Sequence, residues 1–410
     1  MLKNLFGISR KLPVNITNEN SEKRTNLYFT NEILRNAHYL FLIMKIPQNF
    51  GGLQHSILRR CRDFAAFSGL KTTILTTEFH IDKERVYNSL INSGKLDPNY
   101  TQILNMYDFY KGNITITIPL IERKLEEPGC TIYKKPGKNA YRFFKNGMYV
   151  MYKSYEREDG KLKFIDYLSE YRTLLKREEF DDRGRIVKET YYDPILELPK
   201  HELFFDENYR CYISKWYKIE NNKSVIDNIN WFNEKGEVIR VFKNEDELIA
   251  YWLDQLTSSN DIYFLIPEKR PLDKATLMIN KPNVYRAFMF HNRHTKDDDP
   301  TNTIIKRDYK PVFKNLANIE KVIVLTEEQK NDIVEHFGFP EKIHVIPHTY
   351  EIHEEPDFSK RDLSRVVLLS RFAEHKQIDH AIRAFRKVCD VLPDKRLEIY
   401  GSGYFLIEGL

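Results

Sequence analysis

Apolar and polar positions change their rhythm three times along the chain. From Thr25 to Lys111 the apolar residues come in blocks. His38 to Ile46 is a nearly unbroken apolar run, the pattern of a strand covered on both faces. Pro47-Gln-Asn-Phe-Gly51-Gly52 breaks it. A helix is predicted from Leu53, because Leu53, Ile57, Cys61 and Phe64 recur on one helical face. Gly69 closes that helix, and Lys71 to Thr76 is the next strand. Strand, glycine turn, helix and strand together make a βαβ unit.

From about Gly112 to Glu245 the alternation shortens to that of narrow, aromatic strands. A Phe-Asp/Asn-x-x-(Gly) turn recurs at Phe180-Asp-Asp-Arg-Gly184, at Phe205-Asp-Glu-Asn208 and at Phe232-Asn-Glu-Lys-Gly236. Each copy is followed by an alternating strand, which is a hairpin signal and predicts an antiparallel β-meander. Helix–strand alternation then resumes. Asp246 to Ser258 reads as a helix, and strands are predicted at 261–267, 284–290, 321–325 and 342–346. The return to the first rhythm predicts one Rossmann-like domain, 25–111 with 246–355, carrying the meander 112–245 as an insertion. His348 to Arg365 is polar, acidic and aperiodic, and reads as a linker.

The last stretch, 361–410, repeats the α/β pattern. A strand at 366–370 leads into the basic turn Arg371-Phe-Ala-Glu-His-Lys376. An amphipathic helix to about Leu392, a strand at 396–400 and the turn Gly401-Ser-Gly403 follow. This is the opening of a nucleotide-binding α/β domain. Two strands and one helix leave sheet faces uncovered, and Tyr404 to Ile407 is apolar without an evident partner. The expectation is therefore an incomplete second domain, from a fragment or a frameshifted gene, with a naturally short form whose small cap docks on the first domain as the alternative.

Composition narrows the class. Tyr and Phe are abundant, at 25 and 26 of 410 residues, which fits a large β component. A net charge of +5 with interspersed signs argues against a dedicated nucleic-acid binder. Four scattered cysteines without a Cys-x-x-Cys pair fit a reducing cytoplasm. Met1 to Arg24 reads as no signal peptide, and the run Tyr39 to Ile46 is too short to span a bilayer. At most peripheral membrane contact is expected.

Candidate chemistry gathers at strand ends. Gly51-Gly52 either lets an anionic ligand approach a helix N-terminus or is simply a tight turn. Arg371 and Lys376 flank a turn at the carboxyl end of a parallel strand, where α/β folds bind ligands; a solvated basic turn is the alternative. Opposed to the Gly-Gly turn across a cleft, these cations would clamp a diphosphate. His291 ends an apolar strand and can reach a ligand there, or is structural; His294 ranks below it. Asp297-Asp-Asp299 reads as a solvated turn rather than a metal site. His344, His348 and His353 have loose zinc-like spacing but no Cys partners. No phosphate loop, GxSxG elbow or HExxH motif occurs.

Strand, Arg371-x4-Lys376, helix, strand and Gly401-x-Gly403 together resemble the donor domain of retaining family-4 GT-B glycosyltransferases. Gly51-Gly52 is similar to that family's N-domain glycine turn and His291 to its sugar-contacting histidine. Lys342 to His348 resembles its usual V-I-P-N-G segment, with a departure at His348-Thr349. The meander and Gly51-Gly52-Leu53-Gln54-His55-Ser56 resemble Gram-positive enzymes that glycosylate teichoic acid or serine-rich adhesins. The resemblance implies transfer of glucose or N-acetylglucosamine from a UDP-sugar, with retention, onto a teichoic acid polymer or a Ser/Thr-rich protein. It implies Arg371, Lys376 and His291 as catalytic residues, and Gly51, Gly52, Gly401 and Gly403 as substrate-binding. Neither a metal nor another cofactor is expected. The meander would hold an extended acceptor and could join copies of the chain through its edges. The family's acidic E-x7-E motif does not follow Gly403, which leaves a non-catalytic acceptor-binding or stabilising partner as the alternative. A metal-dependent enzyme using Asp297 to Asp299 is the least favoured reading.

Overall fold

The computed structural model describes residues 29–112, 120–156, 160–296, 304–350, 355 and 357–403. The chain divides into two units after Thr349. The first holds a parallel sheet of β1 (His38–Ile43), β2 (Thr72–Thr76), β3 (Thr101–Asn105), β14 (Tyr263–Pro267), β15 (Val284–Met289), β16 (Lys321–Val324) and β17 (Ile343–Val345). Their spatial order is β17-β16-β15-β14-β1-β2-β3. The chain builds outward from β1 in one direction, then returns to pair β14 on its other side. The order therefore reverses between β1 and β14, the place where open α/β sheets bind ligands.

The predicted apolar run is β1, and it ends at Ile43 rather than Ile46. Tyr39, Phe41 and Ile43 enter one core with Ile57, Leu58, Cys61 and Phe64 of the helix Gly52–Ser68. Leu40 and Leu42 enter a second core on the other face. This two-sided burial is why the run shows no alternation. Gly69 closes the helix in the left-handed region at φ 64°. Strand β3 escapes sequence reading because its buried ends are polar. Thr101 Oγ1 lies 2.9 Å from Thr72 Oγ1, and Asn105 Nδ2 donates to Thr76 Oγ1 at 2.9 Å. Such residues resemble loop sequence until the neighbouring strand supplies their partners.

Ten antiparallel strands, β4 (Thr131–Lys134) to β13 (Val238–Phe242), form the meander in sequential order. Its recurring turn has a common construction. Asp181 accepts from the backbone N–H of Arg183 and Arg185, each at 3.0 Å, and from Arg185 Nε at 2.7 Å. Asp206 does the same with Asn208, Arg210 and the Arg210 side chain. Asn233 accepts from Lys235 and Glu237. Gly184 and Gly236 take the positive φ that this turn needs, but Tyr209 takes it in the middle copy, at 58°. That strain is offset by stacking on Phe205 and by the bond from Tyr209 Oη to Glu189. The meander packs on the second core: Phe204, Ile213, Ile229 and Phe242 meet Leu248, Trp252 and Leu253 of the helix Glu245–Leu256. Lys215, buried at this junction, pairs with Glu245.

The second unit has parallel strands Arg365–Leu369 and Arg396–Tyr400 joined by the helix Ile378–Val391. Val367, Leu369 and Tyr400 are exposed. Among the described residues, no helix is long and apolar enough to cross a membrane. The expected apolar end at Tyr404 to Ile407 lies outside the described residues.

Asp206 is almost fully buried and serves two backbone donors and one side chain, so Asp206→Ala is expected to cost ~1–3 kcal/mol. The equivalent Asn233→Ala, in a turn open to water, should cost less. Urea midpoints of the two variants check the order.

Candidate active site

The ends of β14, β15 and β17 and the helix after β1 bring four side chains together. Glu268 follows the closing Pro267 of β14, and its backbone N–H donates to Leu42 O of β1 at 2.9 Å. That bond sets its carboxylate at the point where the strand order reverses. The side chain is fully buried and accepts from two directions. Arg60, on the helix that follows β1 and over the Phe41 ring, donates to Oε1. His291, just past β15, donates from Nε2 to Oε2 at 2.6 Å. The other ring nitrogen of His291 lies 3.2 Å from His348 Nε2, and the two rings stack at 5.1 Å between centroids.

The electrostatics follow from burial. Desolvation alone would raise the Glu268 carboxyl, but the Arg60 charge and the His291 bond outweigh it and hold it below its usual value. Burial lowers His348, and positive charge nearby, from His291 when it is protonated and from Arg60, acts in the same direction. Thr349 Oγ1 donates to Asp63 Oδ2 at 2.6 Å, and Asp63 pairs with Arg59. The segment leaving the first unit is thereby pinned to the helix that carries Arg60.

Gly51 caps that helix without a side-chain hydrogen bond, at a φ of −101° that any residue adopts. A Cβ on Gly51 or Gly52 would meet nothing within 4 Å. Neither torsion nor crowding inside the chain calls for glycine here. The other glycine turn differs. A Cβ on Gly401 would lie 1.8 Å from Ser370 O, and one on Gly403 would lie 2.0 Å from Phe372 O. The close pass of the two strand ends is sufficient reason for glycine at both. Arg371 and Lys376 are exposed at the carboxyl end of Arg365–Leu369, within the second unit.

His294 is fully buried against Phe313, and desolvation pushes it down to about 4, so it stands apart from this cluster. His344 Nε2 is bonded to Glu341 O. No group able to hold a metal occurs among the described residues; Asp297 to Asp299 and His353 lie outside them. Sequence reading missed Glu268 and Arg60, and weighed His348 as a metal ligand and as a departure from the V-I-P-N-G segment but not as a partner of His291. The available signal for Glu268 was an acid directly closing the apolar run Tyr263 to Pro267. A cleft of about 450 Å³ opens between the carboxyl ends of β2 and β3 and the meander turns. Its cations are largely paired: Lys83 with Asp108, Lys111 with Glu207 and Arg185 with Asp181.

Residues 40–233 match the family glycosyl transferase 1 domain A. The chain is 30% identical over 382 residues to poly(glycerol-phosphate) alpha-glucosyltransferase of Bacillus subtilis (strain 168), covering 89% of this chain. It spans 55% of that relative's length. It is 25% identical to poly(ribitol-phosphate) alpha-N-acetylglucosaminyltransferase of Staphylococcus aureus (strain COL), over 88% of this chain and 71% of the relative. The fold is that of S. aureus TarM, with a TM-score of 0.72 at 22% identity over 90% of this chain and 73% of the TarM chain. The chain is thus similar in sequence to these transferases, and its fold is an α/β domain carrying an antiparallel insertion. The matched relatives are named as transferases, which does not favour the non-catalytic alternative.

Glu268→Ala should strand Arg60 in the interior and cost ~3–5 kcal/mol at neutral pH. Because the folded carboxyl is depressed, its contribution is present above the unfolded value of about 4.3 and is lost as pH falls through the folded value. The gap in urea midpoint between wild type and variant should therefore narrow in acid. An equal gap at both pH values would contradict the assignment.

Proposed function

We propose, on the premise of this kinship with glycosyltransferases, that the chain transfers glucose or N-acetylglucosamine from a UDP-sugar to a teichoic acid polymer or a Ser/Thr-rich protein, with retention. The observation that carries this reading is the imidazole of His291, gripped by buried Glu268 where the strand order reverses. The open Gly51-Gly52 turn heads the same helix that supplies Arg60. In this reading the bond from sugar C1 to the diphosphate breaks. An acceptor hydroxyl oxygen bonds to C1 from the same face, and its proton passes to the departing diphosphate.

Each group has a part suited to its chemistry. Arg371 and Lys376 balance the charge developing on the diphosphate. On the first unit, the N–H groups at Gly51 and Gly52 are donors suited to an anion. His291 orients the sugar. Gly401 and Gly403 let the chain end of the second strand come close to the nucleotide. The charged cleft beside the meander receives the acceptor. The named acceptors of the relatives, poly(glycerol-phosphate) and poly(ribitol-phosphate), support a polyol-phosphate polymer. The reading needs no metal, because fixed cations and backbone donors supply the stabilising charge. It places the reaction in the cytoplasm, where UDP-sugars are made, and allows copies to associate through the meander.

Transfer of labelled sugar from UDP-glucose or UDP-N-acetylglucosamine to poly(glycerol phosphate) and poly(ribitol phosphate) is the direct test. Arg371→Ala and Lys376→Ala should each lower turnover by ~10²-fold or more. Gly51→Val should leave the melting temperature unchanged yet reduce turnover. Absence of transfer in every donor and acceptor combination would refute the reading.

A further inference from the structure

His291 has no ring nitrogen to spare. Nε2 faces Glu268 Oε2 at 2.6 Å and Nδ1 faces His348 Nε2 at 3.2 Å. Glu268 is held as a carboxylate, which only accepts, so the proton on Nε2 is specified. Arg60 satisfies the remaining carboxylate oxygen. The tautomer of His291 is thus set from below by a buried charge that no solvent reaches.

The partner at Nδ1 is of a different kind. His348 is exposed, lies outside any strand or helix and is the penultimate residue of the first unit. It is held on this side by the stacked contact with His291, while its neighbour Thr349 is held by Asp63. If His291 is neutral, Nδ1 accepts from His348; if it is an imidazolium, Nδ1 donates. A hydroxyl can replace His348 in either state, because it both donates and accepts. A phosphate oxygen, an ammonium or an apolar group matches at most one state.

We infer that Glu268 is the positioning residue for His291 and that His348 occupies the place a sugar hydroxyl takes at Nδ1. The ligand engages His291 by displacing His348, so free and bound states compete for one nitrogen. His348 is therefore a specificity-determining residue, and its removal should favour the ligand. This rests on the reading of His291 as the sugar-facing group.

The test uses the full chain labelled with 15N-histidine, and UDP-glucose and UDP as probes. In wild type the His291 Nε2 proton should be a protected downfield signal that Glu268→Gln shifts upfield. His348→Ala should shift His291 Nδ1 and leave the Nε2 proton in place. His348→Ala and His348→Asn should bind UDP-glucose about 3- to 10-fold more tightly, the worth of one competing hydrogen bond, with UDP affinity unchanged. Unchanged Nδ1 shifts or unchanged UDP-glucose affinity in both His348 variants would overturn the inference. Failure of wild type and variants alike to bind UDP-glucose would overturn the sugar-facing reading itself, even where the Glu268-dependent proton signal appears.

Discussion

A carboxylate without access to water organises the working edge of the first unit. An uncompensated charge in the interior costs several kcal/mol, so Glu268 is compatible with the fold only if its partners are in place. Those partners come from different elements: Arg60 from the helix after β1, and His291 from the end of β15. The backbone N–H of Glu268 is tied to β1 as well. One charge thereby couples three segments at the point where the strand order reverses. Arg60 is nearly as buried and depends on the same bond, so neither member can move without exposing the other. The His291 imidazole is positioned by core electrostatics rather than by loop packing.

The rest of the first unit is arranged around β1. Its alternate side chains supply two cores, one under the helix that carries Arg60 and one under the meander. The meander is consequently seated on the domain's own core. Tyr110 Oη donates to Leu248 O, Trp231 Nε1 donates to Tyr110 O, and buried Lys215 pairs with Glu245 at the start of the adjoining helix. The turns of this insertion line one side of the charged cleft at the carboxyl ends of β2 and β3. A ten-stranded sheet anchored in this way gives its Asp-centred turns a definite position against the α/β domain.

The sequence by itself determined the α/β alternation, the antiparallel insertion, the glycine turn, the strand-ending His291 and the basic turn of the second unit. Each rests on spacing within a few residues, where periodicity of two or 3.6 and turn chemistry act directly. Only the tertiary structure decided which side chains share a charge. Arg60 and Glu268 are 208 residues apart, and His291 and His348 are 57 apart. Neither Arg60 nor His348 differs locally from an ordinary polar residue. The glycines show the same division. Gly51-Gly52 and Gly401-x-Gly403 look alike as text, yet the first pair faces open space and the second is required by a neighbouring strand. Local pattern specifies elements because backbone preferences are local. A buried ion pair is specified by desolvation, and desolvation exists only once distant segments have excluded water together.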